Sequence, residues 1–240
     1  MKNTAQNPAV EPEKIRSMFA QVAHRYDHAN SVLSMGIHHA WRKKLVQISQ
    51  AKMGQSVLDC ATGTGDLAIA FKKSVGTTGT VIGTDFCAEM LESAPQKALT
   101  ENLEIQFEQA DVTALQYPEN QFDIVSISFG IRNVVSPLKA LQEMARVTKP
   151  GGSVMILEFG QARAPLFSQI YNLYSSKILP VLGGWVTGQK EAYKYLQSSS
   201  AAFPCGERFV DLMKQTGCFS HIEYHSLTGG VAYIYKGIKK

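Results

Sequence analysis

The feature that most constrains the fold is an apolar segment that ends in a glycine-containing loop, residues 57–66 with the sequence VLDCATGTGD. A second apolar segment, residues 81–84, ends at Asp85, twenty residues after Gly65. Glycines at such a turn let the backbone approach a ligand, and the amides at the start of the next helix face it. An acid at the tip of the second strand is placed to accept hydrogen bonds from a ribose diol. The pattern predicts a Rossmann-like α/β sheet that binds an adenosine-containing cofactor.

Two carboxylates flank this loop and bear on the choice of cofactor. Gly63 and Gly65 lie in GTGDLA, which fits the G-x-G-x-x-G/A fingerprint of dinucleotide enzymes, although a tight turn without a ligand fits it as well. Asp59 ends the first strand and Asp66 opens the next helix. Two carboxylates would repel a diphosphate, but they suit a cationic ligand such as S-adenosylmethionine, which carries a sulfonium and an ammonium group. The charges therefore favour a methyltransferase over a dehydrogenase.

The rest of the chain alternates between strand and helix periodicity, which implies a mostly parallel sheet with helices on both faces. Two N-terminal helices are expected, one from Glu13 to about Tyr26-Asp27 and one that starts near His39. The remaining elements are predicted strands at 56–60, 80–84, 104–108, 122–128 and 153–158, and predicted helices at 66–75, 88–99, 137–147 and 207–216, with a kink or shortening at Pro95 and a turn at 149–152.

The C-terminal segment predicts an antiparallel hairpin. Strands are expected at residues 221–226 and 231–236, joined by a hairpin-like connection at 227–230. A terminal hairpin on an otherwise parallel sheet is typical of class I methyltransferases and unusual for dehydrogenases. The predicted fold class is therefore the class I methyltransferase Rossmann-like sheet, with added N-terminal helices and a helical insertion.

Length and local composition suggest the domain organisation. A chain of 240 residues suffices for one well-packed domain. Residues 1–12 are polar, contain two prolines and predict a flexible tail without the apolar core of a signal peptide. Residues 13–240 predict a single domain, in which residues 160–204, rich in Tyr, Ser, Leu and Gly, form a helical insertion over the strand ends. No apolar stretch reaches the length of a membrane span, so a cytoplasmic location is expected.

Charge and cysteine content exclude several classes of partner. The formal net charge is +4, and the lysines and arginines are scattered, so no nucleic-acid partner is expected. The four cysteines are widely spaced without a CxxC pair, which argues against a disulfide framework or a structural zinc site. His38 and His39 are adjacent and should point in different directions, so no metal site is expected.

Three further segments should add to the cofactor site, since ligands in such sheets bind beyond the carboxyl ends of the strands. Thr64 can offer its hydroxyl or its amide to the carboxylate of the cofactor. Asp111 follows the third strand and can accept from the adenine amino group, or it can simply cap its own loop. Val112 can cover the adenine ring, and Ser128 ends the fourth strand near the methionine part.

Residues 128–134, with the sequence SFGIRNV, follow the fourth strand, from which methyltransferases often address the acceptor. This run resembles a signature of the ubiquinone/menaquinone biosynthesis C-methyltransferase family. The resemblance covers nearly the whole chain beyond the tail. It also includes FAQVAHRYD at 19–27, SMGIH at 34–38 followed by Trp41-Arg42, LEF at 157–159, Tyr195-Leu196 and LTGGV at 227–231.

The resemblance implies a concrete reaction. Members of this family transfer a methyl group from S-adenosylmethionine to a ring carbon of a polyprenylated hydroquinone, in the menaquinone pathway, the ubiquinone pathway or both. By matching motif positions, it implies cofactor contacts at Thr64, Asp85, Asp111, Val112 and Ser128. The insertion would then serve as a helical cap and as a wall for the lipid tail. A peripheral contact with the inner face of the membrane and a homo-oligomer are both compatible with this picture.

The acceptor-side residues can be assigned by chemistry. An aromatic carbon becomes nucleophilic when a ring hydroxyl loses its proton, so the enzyme must favour a phenolate-like ring. Arg132 stays protonated and is expected to stabilise the developing oxyanion, with Asn133 orienting the ring oxygen. A structural ion pair at a turn is the alternative for Arg132. His38, Tyr26 and Asp27 are candidates for the acceptor side or for proton removal, and each has a structural alternative.

Two other functions remain open at this stage. The glycine loop alone also fits an NAD-dependent small-molecule reductase. A non-catalytic protein that binds an adenosyl ligand would carry the same cofactor residues without transferring a methyl group. Binding of S-adenosylmethionine without NAD binding distinguishes the first alternative, and methyl transfer distinguishes the second.

Overall fold

The computed structural model describes residues 11–23, 27, 31, 34, 36–162 and 190–240, and strands and helices alternate along most of this length. The strands are β1 (Ser56–Cys60), β2 (Thr80–Asp85), β3 (Gln106–Gln109), β4 (Phe122–Ser128), β5 (Thr148–Phe159), β6 (Phe219–Leu227) and β7 (Ala232–Lys239). The helices are α1 (Pro12–Val22), α2 (Ile37–Ser49), α3 (Asp66–Val75), α4 (Ala88–Leu91), α5 (Ala94–Thr100), α6 (Pro137–Val147), α7 (Lys190–Ala202) and α8 (Glu207–Gln215). Short 3-10 turns cover Ile131–Asn133 and Thr228–Gly230.

The strands form one sheet in the order β3-β2-β1-β4-β5-β7-β6. Strands β1 to β5 pair in parallel, whereas β7 runs antiparallel to both β5 and β6. This arrangement confirms the predicted class I methyltransferase sheet with its terminal antiparallel hairpin. After β1 the chain adds β2 and then β3 on one side of β1. It then crosses over and places β4 on the other side of β1. A sheet with such a reversal binds ligands at the carboxyl ends of the strands beside it.

Two apolar layers bury the sheet, one on each face. Successive residues of β5 alternate between them, because side chains in a strand point to opposite faces. Val154 and Ile156 belong to the layer under α6 and α8, and Met155 and Leu157 to the layer under α2 and α3. The helices add the buried side chains of Leu141 and Met144 from α6, Phe209 and Met213 from α8, Trp41 and Leu45 from α2, and Leu67 and Phe71 from α3.

Two local predictions are modified by backbone chemistry. The predicted helix at 88–99 is split into α4 and α5, and Pro95 lies in the first turn of α5. Proline is tolerated there because the first helical amides have no partner within the helix. The predicted turn at 149–152 is wrong, since these residues belong to β5. Thr148 pairs with Phe122, and the register shifts before Ile124, so an irregularity in the ladder takes up the Pro-Gly-Gly run.

Several predicted boundaries move or fall outside the described residues. Strand β3 starts two residues later than predicted, and β6 extends beyond the predicted 221–226 at both ends. Strand β7 starts one residue later and ends three residues later than the predicted 231–236. Residues 1–10 of the predicted tail at 1–12 lie outside the described residues. The same holds for residues 24–26 of the first predicted helix and for residues 163–189 of the predicted insertion. Residues 190–202 of that insertion are helical. Among the described residues, no helix is long and apolar enough to cross a membrane.

Candidate functional site

A cavity opens at the carboxyl ends of β1, β2, β3 and β4, where the strand order predicts a ligand. Residues from the loops after all four strands meet there, together with one face of α1. The predicted site residues that line it are Gly63, Asp85, Asp111, Val112, Ser128 and Asn133. Five other predicted site residues do not line this cavity, namely Asp59, Thr64, Gly65, His38 and Arg132.

Asp85 ties the glycine loop to the tip of β2. Its Oδ2 accepts a hydrogen bond from the backbone amide of Gly63 at 2.9 Å, and its Oδ1 accepts one from the amide of Cys87 at 2.9 Å. Burial raises the pKa of Asp85 to about 6, although these backbone hydrogen bonds act in the opposite direction. Each carboxylate oxygen has a second lone pair, so both can accept further hydrogen bonds from a ligand in the cavity.

Asp111 and Val112 occupy the loop after β3. The Oδ1 atom of Asp111 accepts from the backbone amide and the hydroxyl of Thr113, both at 2.8 Å, so Asp111 does cap its own loop. The carboxylate is exposed and borders the cavity, so capping leaves Oδ2 available for a ligand. Val112, which is 9% exposed, presents an apolar wall beside it.

Apolar residues that the sequence patterns did not assign to the site cover the same end of the cavity. Phe86 follows Asp85 directly and is 40% exposed, which is unusual for a phenylalanine. Ile15 and Phe19 reach the cavity from α1, and Met90 reaches it from α4. The spacing of Ile15 and Phe19 marks an apolar face of α1, but it carries no information about the surface that this face covers.

The two glycines of the loop have different roles. Gly63 borders the cavity, whereas Gly65 packs against the sheet. Gly65 has φ +86°, and a Cβ atom there would lie 3.0 Å from Phe107 Cζ and 3.1 Å from Ala94 Cβ. The missing side chain at Gly65 therefore allows α3 to start close to β3 and α5, and it does not serve ligand approach.

Thr64 is held by a polar cluster next to the loop. Its hydroxyl donates to Asp27 Oδ1 at 2.5 Å and accepts from Lys97 Nζ at 3.2 Å. Lys97 Nζ also lies 2.7 Å from Asp27 Oδ2. The Thr64 hydroxyl thus already donates and accepts within the protein, which favours its backbone amide as the group offered to a ligand.

The two carboxylates that flank the loop are also used internally. Asp66 binds Lys97 Nζ at 2.5 Å and Arg42 NH1 at 2.8 Å. Burial favours a higher pKa for Asp66, but the Arg42 and Lys97 cations outweigh it and hold the pKa below its usual range. The negative charge of Asp66 is therefore balanced, and the charge argument for a cationic ligand does not hold for this residue.

Asp59 lies behind the loop, with 1% of its surface exposed. It accepts hydrogen bonds from the hydroxyls of Thr62 at 2.6 Å and Ser126 at 2.7 Å. Burial raises the pKa of Asp59 to about 6, and the two hydroxyl donors reduce that shift. Asp59 thus connects β1, β4 and the loop, and a direct contact with the cofactor stays a prediction.

Arg132 is buried behind the cavity wall, with 4% of its surface exposed. Its NH1 donates to Glu158 Oε1 at 2.9 Å and to the carbonyl oxygen of Phe129. The guanidinium carbon lies 5.5 Å from the centre of the Phe159 ring, within the range of a cation–π contact. The ion pair is neither on the surface nor open to the cavity, which differs from both alternatives that the sequence suggested.

The segment before Arg132 has a constrained backbone. Phe129 adopts φ +56°, a left-handed conformation that costs energy for a residue with a side chain, and it borders the cavity. Its amide donates to Leu157 O at 2.7 Å. A Cβ atom at Gly130 would lie only 2.5 Å from Ala61 Cβ. The loops after β1 and β4 therefore touch at this point, where Ala61 and Gly130 both border the cavity.

Asn133 presents its side chain to the cavity from the 3-10 turn. Its Oδ1 accepts a hydrogen bond from the hydroxyl of Tyr195 on α7 at 3.2 Å. Tyr195 belongs to a segment that the sequence resemblance matched, but no pattern in the sequence indicates that it reaches Asn133. Only the packing of α7 against the turn reveals this contact.

His38 is buried beside the polar cluster and does not line the cavity. Its Nδ1 lies 2.5 Å from Ser34 Oγ. Burial and the nearby Arg42 and His39 lower the pKa of His38 to about 4, so its imidazole is neutral at pH 7. Ligand atoms of His38, His39 and Asp66 lie within 4.8 Å of one another, but Asp66 is already bound to two cationic side chains.

Comparison with known proteins gives close relatives along the whole chain. The model of the ubiE/COQ5 methyltransferase family matches residues 8–239. The ubiquinone/menaquinone biosynthesis C-methyltransferase UbiE of Bdellovibrio bacteriovorus is 68% identical over 234 residues, which cover 98% of this chain and 99% of that protein. The UbiE protein of Stutzerimonas stutzeri is 39% identical over 229 residues, covering 95% and 89%.

Solved structures share the fold at low sequence identity. A SAM-dependent methyltransferase from Thermotoga maritima matches with a TM-score of 0.66 at 18% identity, over 94% of this chain and all of that chain (100%). Phosphoethanolamine N-methyltransferase 2 of Haemonchus contortus, solved in complex with S-adenosyl-L-methionine, matches with a TM-score of 0.59 at 18% identity, over 83% and 52%. At this identity the likeness concerns the sheet and its helices.

Proposed function

Because the chain belongs to the ubiE/COQ5 methyltransferase family, we propose that it transfers a methyl group from S-adenosylmethionine to a ring carbon of a polyprenylated hydroquinone. The proposed acceptors are demethylmenaquinol, which would give menaquinol, and the equivalent benzoquinol of the ubiquinone pathway. The structural observation that carries the proposal is that one cavity joins Asp85 and Asp111, on its adenosyl side, to Asn133 of the SFGIRNV run. Donor and acceptor residues thus share one chamber, as direct methyl transfer requires.

The residues of the cavity fit S-adenosylmethionine. Asp85 would bind the ribose hydroxyls, and Asp111 would accept from the adenine amino group. Val112 and Phe86 would pack on the adenine ring, since both present apolar surface to the cavity. Ser128 is proposed for the methionine part. Thr64 lies outside the cavity lining, so a contact between its amide and the cofactor carboxylate stays a prediction. When bound, the cofactor supplies an electrophilic methyl group.

The acceptor side must stabilise negative charge on the ring oxygen. Ser128 and Asn133 are polar residues of the SFGIRNV run that border the cavity, and we assign to Asn133 the hydrogen bond to this oxygen. Arg132 supports the turn from behind through Glu158 and the carbonyl of Phe129. Its direct contact with the oxyanion stays a prediction, because reaching the cavity requires the guanidinium to leave Glu158.

The described candidates for removing the proton from the ring hydroxyl, His38 and Asp27, do not line the cavity. The imidazole of His38 is neutral, but a pKa of about 4 makes it a weak base, and it lies outside the cavity lining. Asp27 is bonded to Thr64 and Lys97, and Tyr26 lies outside the described residues. His38 and Asp27 stay predictions, which His38→Gln and Asp27→Asn would test through the pH dependence of turnover.

The chemistry of the acceptor suggests where the protein works. A polyprenyl tail partitions into the bilayer, so we propose that the protein meets its substrate at the inner, cytoplasmic face of the membrane. The segment at 160–204 is proposed as the wall for this tail, within a single methyltransferase domain at 13–240. A homo-oligomer stays a prediction that light scattering would test.

The two alternatives have less support. An NAD-dependent reductase does not agree with the family match or with the terminal hairpin. Tyr235 and Lys239 do have the Tyr-x-x-x-Lys spacing of short-chain reductases, but both lie on β7. The Tyr235 hydroxyl accepts from the Gly206 amide at 2.7 Å, and Lys239 Nζ binds backbone carbonyls of Arg146 and Thr148. Measuring methyl transfer distinguishes an enzyme from a non-catalytic protein that binds an adenosyl ligand.

A parallel assay tests the proposed function and chooses between acceptors. The protein is incubated with S-adenosylmethionine and a short-tailed demethylmenaquinol, or with the corresponding benzoquinol, under reducing conditions. Mass spectrometry should find a singly methylated product from at least one acceptor. If neither acceptor is methylated while S-adenosylhomocysteine binds, the non-catalytic alternative is correct. If neither is methylated and NAD binds instead, the methyltransferase assignment fails.

A further inference from the structure

Within the described part of the chain, the side chain of Asn133 makes one hydrogen bond, and it involves only one end of the amide. Its backbone amide donates to Gly130 O at 3.0 Å, and the neighbouring Arg132 is bound to Glu158, so the turn itself is fixed. Asn133 is one of the residues that line the cavity, and its Oδ1 accepts a hydrogen bond from the Tyr195 hydroxyl at 3.2 Å. Tyr195 is thus the residue that restrains rotation of the Asn133 side chain.

The direction of this hydrogen bond decides what Asn133 offers to a ligand. The oxygen and nitrogen ends of an asparagine amide have nearly the same shape, so their orientation is set by hydrogen-bond partners. In the structure the Tyr195 hydroxyl donates to the oxygen end of Asn133. A phenol hydroxyl can also accept a hydrogen bond, so this donating direction requires that the phenol keeps its proton. Burial raises the pKa of Tyr195, so the hydroxyl keeps its proton throughout the physiological range. With Oδ1 occupied, the protons of Nδ2 remain for the cavity.

We propose that Tyr195 is a positioning residue that orients the Asn133 amide, so that Nδ2 donates to the acceptor ring oxygen as negative charge develops on it. This inference rests on the proposed methyl transfer. The opposite orientation would place Oδ1, which carries partial negative charge, against an oxyanion. Such a contact would oppose the reaction, whereas a preorganised N–H donor favours it.

The contact also gives α7 a role in catalysis. Asn133 lies at the carboxyl end of β4, and Tyr195 is 62 residues later in the chain. Helix α7 must dock against the turn for the donor to be oriented. The segment predicted as a cap over the site would therefore contribute to the chemistry through Asn133 as well as covering the acceptor.

Four proteins test the inference: the wild type, Tyr195→Phe, Asn133→Ala and the double variant. Tyr195→Phe removes one hydroxyl and keeps the aromatic ring. Loss of one net hydrogen bond should lower kcat for methyl transfer to demethylmenaquinol by about three- to tenfold. The affinity for S-adenosylhomocysteine and the KM for the acceptor should each change less than about twofold, since the bond acts on the transition state. In the Asn133→Ala background, Tyr195→Phe should have no further effect on kcat.

A matched control keeps the effect specific. Tyr224 lies on β6, and its hydroxyl donates to Glu207 Oε1 at 3.0 Å. Tyr224→Phe removes this hydroxyl away from the cavity and should leave kcat unchanged. The inference is overturned if Tyr195→Phe has wild-type kcat, or if its effect is fully retained in the Asn133→Ala background. An inactive wild type would instead contradict the proposed function, so the two failures are distinguishable.

Discussion

Arg132 and Glu158 form a buried ion pair, with NH1 and Oε1 2.9 Å apart and side chains that are 5% and 2% exposed. Glu158 Oε1 also accepts from the backbone amide of Phe159 at 2.8 Å, and Oε2 accepts from the amide of Arg132 at 3.3 Å. The pair therefore joins the end of β5 to the turn after β4. This structural role of the ion pair can be tested separately from a direct contact between Arg132 and the substrate.

Breaking this pair should destabilise the protein. Arg132→Ala or Glu158→Gln leaves one buried charged or polar partner uncompensated, so each should lower the free energy of unfolding by about 3–5 kcal/mol. The measurement is urea unfolding followed by far-UV circular dichroism. The double variant Arg132→Met with Glu158→Leu should recover most of the loss. Wild-type stability in both single variants would show that the pair contributes nothing.

The same variants separate catalysis by Arg132 from support of the turn. If Arg132 only positions the turn, Glu158→Gln should lower turnover as much as Arg132→Ala does, at a temperature where both proteins are folded. If Arg132 contacts the oxyanion directly, Arg132→Ala should lose two to three orders of magnitude, on the order of the cost of one removed donor, and Glu158→Gln much less. Single-turnover kinetics distinguish these outcomes.

Asp85→Ala should weaken binding of S-adenosylhomocysteine by about 1.5–3 kcal/mol, the scale of charge-assisted hydrogen bonds. The loss has two sources, namely the ribose contacts and the bond that holds the Gly63 amide. Calorimetric titration measures it. Asp211→Ala, on the exposed surface of α8, is the matched control and should bind normally. Unchanged affinity in a folded Asp85→Ala protein would remove Asp85 from the site.

Asp59 should make stability depend on pH. Its pKa of about 6 in the folded protein exceeds the value of 3.8 for an unperturbed carboxyl, so the folded state holds the proton more tightly than the unfolded state. The stabilisation is fully present below pH 3.8 and is lost as the pH rises to about 6. The stability advantage of wild type over Asp59→Asn should therefore shrink by about 2 kcal/mol between pH 4 and pH 7. A constant difference across this range would contradict the assignment.

The contact between the loops after β1 and β4 can be tested by exchanging methyl groups. Gly130→Ala should destabilise the protein by about 1–3 kcal/mol, because the new Cβ meets Ala61 Cβ. Ala61→Gly should be neutral or slightly stabilising alone, since Ala61 has φ +49°, a conformation that glycine adopts freely. The double variant should recover part of the loss. Additive effects of the two changes would show that the residues do not interact.

Sequence patterns predicted the sheet well because local signals determined it. Apolar runs that end in Gly63 and at Asp85, and the alternation of strand and helix, were sufficient for the parallel strands and the terminal hairpin. The turn predicted at 149–152 was wrong because these residues continue β5 as an irregularity between the pairs Phe122–Thr148 and Ile124–Ser153. Tertiary pairing of this kind leaves no trace in a single sequence.

The site was predicted in part. Asp85, Asp111 and Asn133 border the cavity because their positions follow from strand ends. The use of Asp66 by Arg42 and Lys97 could not be foreseen, since ion pairs between distant segments depend on packing. The same reason hides the burial of Arg132 against Glu158 and the contact of Tyr195 with Asn133. Residues that act through a distant partner need the fold to be recognised.

The most direct test of the central claim follows a labelled methyl group. The protein is mixed with S-adenosylmethionine labelled with ¹³C at its methyl group and with a short-tailed demethylmenaquinol, and the product is analysed by mass spectrometry and ¹³C NMR. The predicted result is one labelled methyl group on a ring carbon, formed by the wild type and formed at least about a hundredfold more slowly by Asn133→Ala. A label found only in an O-methyl ether, or no labelled quinone at all, would contradict it.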